Sequence, residues 1–462
     1  MPECFTIYAD KIEGRIDPFY YRPEFYELVR QLEHLKWKIV KLSDIFEINR
    51  GGSPRPIHKF FTTEENGVNW IKIGDTKGVD KYIYKTNQKI KPEGVKFSRE
   101  VKEGDFILSN SMSFGRPYIM KTKGCIHDGW LLLREKDKDL NKEFLYYLLS
   151  TNFIYRFFKR ATLGGVVENL NIDLVKEIRV PIPSLHIQNK IVSLMDSAYS
   201  SKKSKESEAL NLLDSINDYV LDELGIKLPE LEDKRTYVVN SDEAENKRID
   251  AYYYQPKFEE IEKAVKKGKF EVKELKDSLD YHKKGIEVGS NAYIDEGIPF
   301  IRIADIDDYK IKYAETDKKI KLELYEKLKE YQPKKDELLF SKDGSIGFCV
   351  VVNENKDSII SGGILRLKVK KDVNNFYIKT ILSSKFFKIL TERESIGSII
   401  KHLTPEVFLS LKIPLPPLSV QNKIADEVKR RMQKAEHLQK EAKEELEKAK
   451  QEVEKIILGE SK

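Results

Sequence analysis

The sequence predicts an α+β protein made of two globules in tandem pseudo-twofold repeat, joined by two long antiparallel helices that form an intramolecular coiled coil. Three observations carry that prediction. Gln188 and Gln421 stand in two versions of one phrase, VPIPSLHIQNKI (Val180–Ile191) and IPLPPLSVQNKI (Ile413–Ile424), 421 − 188 = 233 residues apart. The same interval relates Arg15-Ile-Asp-Pro-Phe-Tyr-Tyr to Arg248-Ile-Asp-Ala-Tyr-Tyr-Tyr, and Trp37-Lys-Ile-Val-Lys-Leu-Ser-Asp to Phe270-Glu-Val-Lys-Glu-Leu-Lys-Asp, so one frame spans nearly a whole half. Each half also passes from short alternating segments broken by Gly and Pro to a long uninterrupted helical pattern.

Within each half the elements follow in order. Trp70-Ile-Lys-Ile-Gly-Asp and Phe300-Ile-Arg-Ile-Ala-Asp alternate apolar and basic residues and read as strands ending at an acid. Gly104–Ser109 and Asp336–Ser341 are turn-to-strand entries, each followed by a polar loop and a second strand. Phe144–Ser150 and Tyr377–Ser383 have the spacing of amphipathic helices. Pro181 and Pro183, and Pro414, Pro416 and Pro417, stop any earlier helix from running on, because proline lacks the N–H and clashes with the preceding turn.

The first long helix carries its apolar stripe on Ile191, Leu194, Ala198, Ala209, Leu212, Ile216 and Val220, with polar Ser201 and Lys205 loosening the middle. The second is cleaner: Val420, Ile424, Val428, Met432, Ala435, Leu438, Ala442, Leu446, Ala449, Val453 and Ile456 keep alternating three- and four-residue steps. Gly225 and Gly459 suit left-handed helix caps, and Leu228–Thr236 reads as the link between halves. The simplest burial of two such stripes is against each other, which places a globule at each end of the pair. Packing of each helix on its own globule, or pairing between chains, are the alternatives.

Composition bounds the function. With 40% apolar and 10% aromatic residues the chain can fill packed cores. Lys+Arg 82 against Asp+Glu 76 leaves +6 and a pI near 8.7, which permits nucleic acid without demanding it. Cys4, Cys125 and Cys349 are far apart and form no metal or disulfide spacing, as expected of reduced thiols in cytoplasm. No apolar run approaches the roughly 20 residues of a membrane helix, so a membrane is not an expected partner.

Signatures of catalysis are missing. The nearest match to a methyltransferase tetrapeptide is Asp17-Pro-Phe-Tyr20, but the second copy reads Asp250-Ala-Tyr-Tyr253 without proline, which favours aromatic packing on the scaffold. There is no phosphate loop of the GxxxxGK[ST] type, and the acid-acid-lysine run near Pro229–Lys234 lies in the charged link. No catalytic residue, metal site or cofactor is expected.

Several loops instead suit duplex DNA. Asn49–Arg55 offers Arg50, Ser53 and Arg55, able to contact phosphates or reach guanine bidentately. Lys72 and Arg302 add a cation to equivalent strands. Ser109–Arg116, with Asn110, Ser111, Ser113 and Arg116, is answered by Ser341–Gly347, with Lys342 and Ser345. Lys283, Lys284 and Lys401 add charge in the second half, and the glycines of Thr162–Gly165 and Ile396–Ser398 permit close backbone approach to phosphate. Different side chains at one structural place are what two different base sequences require. Each loop taken alone is equally a solvated turn.

At the repeated phrase, and at Arg50–Pro54, Gly67–Ile73, Gly297–Ile303 and Gly344–Gly347, the chain resembles the specificity subunit of type I restriction-modification enzymes over almost its full length. The resemblance implies target-recognition domains at 1–180 and, after the link, within 228–413, with spacer helices at 181–227 and 414–462. It implies that each domain reads one half of an asymmetric bipartite DNA target. The helices, with Gln188, Ile191, Leu194, Leu212, Ile216, Gln421, Ile424, Val428, Leu438 and Val453 as scaffold, would set the spacing and dock partners. Those partners would be two modification subunits, which bind S-adenosylmethionine and methylate adenine N6, and restriction subunits for translocation and cleavage. A ruler of roughly 55–60 Å suits half-sites one to two DNA turns apart at about 34–36 Å per turn. A self-contained modification enzyme and a coiled-coil adaptor without DNA binding are the competing readings.

Overall fold

The structure is a computed structural model that describes residues 5–8, 12, 17–111, 114–136, 139–162, 169–230, 232–240, 250–395 and 401–460. Ser113, residues 163–165 and residues 396–398 of the candidate loops lie outside them. The chain forms two compact units, 1–206 with 439–462, and 207–438. Each contains a globule and two antiparallel lengths of long helix, one from each copy. The helices run Leu185–Leu224 and Leu418–Ile457, and among the described residues no helix is long and apolar enough to cross a membrane.

In the first unit, a two-stranded ribbon pairs Lys38–Lys41 with Arg179–Ile182 at the foot of the first long helix. Two five-stranded sheets stand above it. One holds Phe46–Arg50, Trp130–Glu135, Phe106–Ser109, Pro117–Met120 and Tyr82–Ile83 in that order; in the other, Gly124–Ile126 pairs parallel with Val68–Ile71. The second unit repeats the plan with smaller sheets. Its ribbon joins Val272–Glu274 to Lys412–Pro414, and a four-stranded sheet centres on Ile364–Val369 and Leu338–Ser341. Short helices follow, Lys142–Leu149 and Asn152–Arg160 in the first copy, Asn375–Leu382 and Lys385–Glu394 in the second.

The helix stripes behave differently from a simple coiled coil. In the first unit Ile191 and Met195 join Leu446, Ala449, Val453 and Ile456 in one core with the globule residues Phe144, Leu148 and Phe157, and Leu194 packs at its edge. In the second unit Ile424 and Val428 meet Val220, Leu221 and Leu224 with Tyr377 and Phe387, while Ile216 packs against them. A smaller cluster of Ala209, Ala435, Leu438 and Leu212 is helix against helix alone. The stripe is thus shared between partner helix and globule. The polar break in the first stripe is also paired: Ser201 donates to Glu445 (2.8 Å), and the Lys205 ammonium reaches Glu441 (3.2 Å) and Glu445 (2.5 Å).

The repeated phrase has a local explanation. Gln188 Nε2 donates to the Pro183 carbonyl (3.0 Å) and its Oε1 accepts from Asn141 N (3.0 Å); Gln421 does the same with Pro416 (2.8 Å) and Asn374 N (2.9 Å). Both glutamines are buried, so each fastens the first turn of its long helix to the cap of a globule helix rather than to the other long helix. Gly225 (φ 67°) and Gly459 (φ 72°) end the helices in the left-handed conformation, with bonds from Ile226 N to Leu221 O and Glu460 N to Lys455 O.

The sequence and structure differ at the strands expected over 70–75 and 300–305. They end at Ile71 and Ile301, because Asp75 and Asp305 turn back to accept the N–H of Lys72 and of Arg302, each at 2.8 Å, closing a tight helical turn. Asp17 and Asp250 likewise cap the turns Pro18–Tyr21 and Ala251–Tyr254. Arg160 lies 3.8 Å from the Tyr20 ring and Arg393 4.5 Å from that of Tyr253, so the tetrapeptide segment packs as scaffold in both copies.

Candidate nucleic-acid interface

In the first unit, the chain leaves strand Phe46–Arg50 and passes closely over Ile126 and His127, at the end of strand Gly124–Ile126. A Cβ on Gly51 would stand 2.1 Å from the His127 carbonyl oxygen, so only glycine fits there. Gly285 of the second unit meets Ser361 O at 2.2 Å in the same way, which makes Lys284 the counterpart of Arg50. The close crossing brings Arg50, Ser53 and Arg55 beside the His127-Asp128 turn.

Asp128 organises this corner. Its carboxylate accepts from Ser53 Oγ (2.7 Å) and Arg55 Nη2 (3.3 Å), while Arg50 Nε donates to its main-chain oxygen (3.4 Å). The Ser53 hydroxyl, foremost, holds the carboxyl below its usual pKa, so it is ionised at neutral pH. The His127 ring nitrogens lie 3.2 Å from Ile73 N and 2.8 Å from Gly129 N, only one of which a neutral ring can accept from, and burial lowers its pKa. The Arg55 side chain is 82% exposed and spends one N–H on Asp128, so most of its donor fork has no partner among the described residues.

Ser53, Arg55, Lys72 and Ser111 line one cleft of about 1090 Å³, with Trp70 and Phe61 as aromatic walls and Gln88 and Asp128 as acceptors. Guanidinium, ammonium, hydroxyl, amide and carboxylate groups beside flat apolar surface match the donor and acceptor edges of base pairs and their sugar-phosphate flanks. Arg116 is exposed on an adjoining pocket of about 430 Å³, which shares Ile73 with the cleft and also takes in Lys77 and Trp130. Asn110 is different. It is 1% exposed, and neither polar atom of its amide has a hydrogen-bond partner among the described residues, so in this structure it does not reach the surface.

The second unit arranges its candidates in another way. Lys342, Ser345 and Lys401 come together where Gly344 N donates to Lys401 O (2.8 Å) and Leu403 N to Lys342 O (2.9 Å). Lys342 is buried and pairs with Asp343 (2.6 Å), whose other oxygen meets His402 Nδ1 (3.0 Å); Lys401 pairs with Glu392 (3.0 Å). Lys283 is tied to Glu330 (2.6 Å) over the Tyr331 ring, and Arg302 to Asp317, whereas Lys284 on the same strand as Lys283 is exposed without an ionic partner among the described residues. Sequence reasoning missed Asp128 and His127, the centre of the first corner; the polar turn His-Asp-Gly between two strands was the available signal.

Comparison with known proteins agrees with the repeat. Residues 34–215 and 267–448 each match the family described as the type I restriction modification DNA specificity domain, and the two matches are again offset by 267 − 34 = 233 residues. The MjaVIII specificity subunit of a type I restriction enzyme from Methanocaldococcus jannaschii is 22% identical over 461 residues, covering 95% of this chain and 96% of that protein. The MjaIX specificity subunit of the same organism is 25% identical over 279 residues, covering 58% of this chain and 57% of its own length. Among solved structures, a chain from work on assembly and conformational transition of the type I R-M system superposes with TM-score 0.55 at 15% identity, covering 92% of this chain and 98% of that one, a likeness of fold. With both of its halves matched, the chain belongs to the type I restriction-modification DNA specificity family and carries that family's domain twice.

Proposed function

We propose that this chain is the DNA sequence-recognition subunit of a type I restriction-modification enzyme, itself non-catalytic. Residues 1–180 and the globule within 228–413 act as target-recognition domains, and 181–227 and 414–462 as spacer helices that set half-site separation and dock two methyltransferase subunits. Those subunits bring S-adenosylmethionine, and restriction subunits bring the motor and nuclease. Because a methylated adenine must leave the base stack, the reader's part is to hold the duplex in register while its partner extrudes the base.

The observation that carries the reading is one frame kept twice with unlike polar corners. Arg50 corresponds to Lys284 in the repeat, Asp128, which organises the first corner, corresponds to Gly362, and Asn110 corresponds to Lys342 with its Asp343 pair. Unlike readers on equivalent scaffolds suit an asymmetric target. The test is to map N6-methyladenine across the genome of a host carrying the neighbouring methyltransferase with and without this chain. A bipartite motif that appears only with the chain is the expected result. An unchanged map, with the methyltransferase folded and cofactor-bound, would overturn the reading and favour an adaptor role.

A further inference from the structure

In the unit 207–438 a cleft of about 830 Å³ opens between the long helices and the helices Asn375–Leu382 and Lys385–Glu394. Lys379 lines it. The side chain is only 5% exposed, yet among the described residues its amine meets no carboxylate: its contacts are Met432 Sδ at 4.0 Å and the Phe376 ring at 5.6 Å. Asp308, the acid whose charge acts on it most, is already engaged by Cys349 N (3.1 Å), Ser383 Oγ (3.0 Å) and the Lys388 ammonium (2.7 Å). Burial lowers the Lys379 pKa, as it does for an ammonium without a close counter-charge.

Two more donors stand at the same cleft. Lys385 and Ser345 are exposed there, and neither side chain has a partner among the described residues. The remaining charges are acids on the long helix, Asp214 and Asp218, which are exposed, and the pairs Lys388–Asp308 and Lys401–Glu392, which are self-neutral. The first copy treats the corresponding place otherwise. One repeat interval before Lys379 stands Tyr146, whose hydroxyl donates to Asp80 O at 2.6 Å; one interval before Lys388 stands Tyr155, stacked on Phe114. The first copy is aromatic there, with the Tyr146 hydroxyl bonded, where the second holds a buried lysine with no carboxylate partner among the described residues.

We infer that this cleft is a phosphate site, in which Lys379, with Lys385 and Ser345 at the mouth, binds a phosphate group. Phosphate supplies both the missing negative charge and acceptor oxygens for these three donors. It has two possible sources, free phosphate or, resting on the proposed function, a backbone phosphate of DNA lying against the Ser341–Gly347 loop.

The test uses the full chain. Thermal unfolding is followed in inorganic phosphate and in chloride at matched ionic strength, for the wild type, Lys379→Met, which removes the charge at nearly constant volume, and the exposed-site variant Lys385→Ala. Phosphate is expected to raise the wild-type midpoint above that in chloride, less so for Lys385→Ala, and not at all for Lys379→Met. A second arm measures duplex binding against salt. A slope smaller by about 1 in Lys379→Met identifies backbone phosphate as the ligand, while an unchanged slope with the thermal response lost identifies free phosphate. Equal midpoints in phosphate and chloride for the wild type, together with an unchanged slope, would overturn the site. Wild-type protein that binds no duplex in the presence of its methyltransferase partner would count against the proposed function and leave the thermal arm intact.

Discussion

Asp128 shows how much a single carboxylate settles at the first polar corner. It fixes Ser53 and Arg55, yet leaves Arg55 most of its donors, so under the proposed function Arg55 would carry base or phosphate contact and Asp128 would position it. Arg55→Ala is expected to weaken duplex binding by about 1–3 kcal/mol. The half-site read by the first globule should relax while the other stays sharp, which methylation mapping of the variant would report; equal relaxation of both halves would contradict the assignment. A sequence could not reveal this corner, because Ser53 and Asp128 lie 75 residues apart and meet only when the Gly51 crossing closes. Lys379 was hidden for another reason. A lysine within a short helix reads as a solvated face, and only the structure shows Tyr377–Leu382 buried throughout.

The two long helices were legible in the sequence, with ends a few residues inside the expected 181–227 and 414–462. Proline entries, apolar spacing and capping glycines are local signals, and they fix Leu185–Leu224 and Leu418–Ile457 without tertiary help. What faces the stripe is not local, so the share taken by the globules escaped the pattern. The strand ends at Ile71 and Ile301 were missed because a side-chain bond, from Asp75 or Asp305, outweighs the alternation. Gln421 gives a test of the fastening inferred for the repeated phrase. Gln421→Ala leaves Asn374 N and Pro416 O without their buried partner and is expected to lower stability by about 1–3 kcal/mol, whereas Gln421→Glu should recover part of the loss through the acceptor alone; denaturant unfolding reads both. Glu427 provides a pH handle on the same helix. Bonds from Arg430 and then Arg431 lower its pKa from 4.5 to about 2. A depressed carboxyl contributes stability above its unfolded pKa and loses it as pH falls from near 4.5 through about 2. Glu427→Gln is therefore expected to flatten the acid limb of the urea midpoint over that window, and a limb of unchanged steepness would refute the linkage.

The division into units is the main feature of the molecule that the duplication did not disclose. A tandem repeat suggests two consecutive halves, but the units are 207–438, which is continuous, and 1–206 completed by 439–462. The first core depends on that second segment, since Leu446, Ala449, Val453 and Ile456 pack with Ile191 and Met195, and Trp37 Nε1 donates to Ile457 O at 2.8 Å. The fragment 207–438 is expected to fold alone with a cooperative thermal transition. The fragment 1–206 is expected to bind a hydrophobic dye until the peptide 439–462 is added; protection from proteolysis without the peptide would contradict this. Pattern reading found the frame because short motifs recur at one interval, and it missed the exchange because which helix end completes which core is a property of chain path.

That exchange has a consequence for biosynthesis. As the chain leaves the ribosome, residues 207–438 are all available before 439–462 appear, so the second unit can finish folding while the first still waits for the helix end that seals it. A chain lacking 439–462 is therefore expected to have one finished unit and one open core, whose exposed apolar face invites proteolysis.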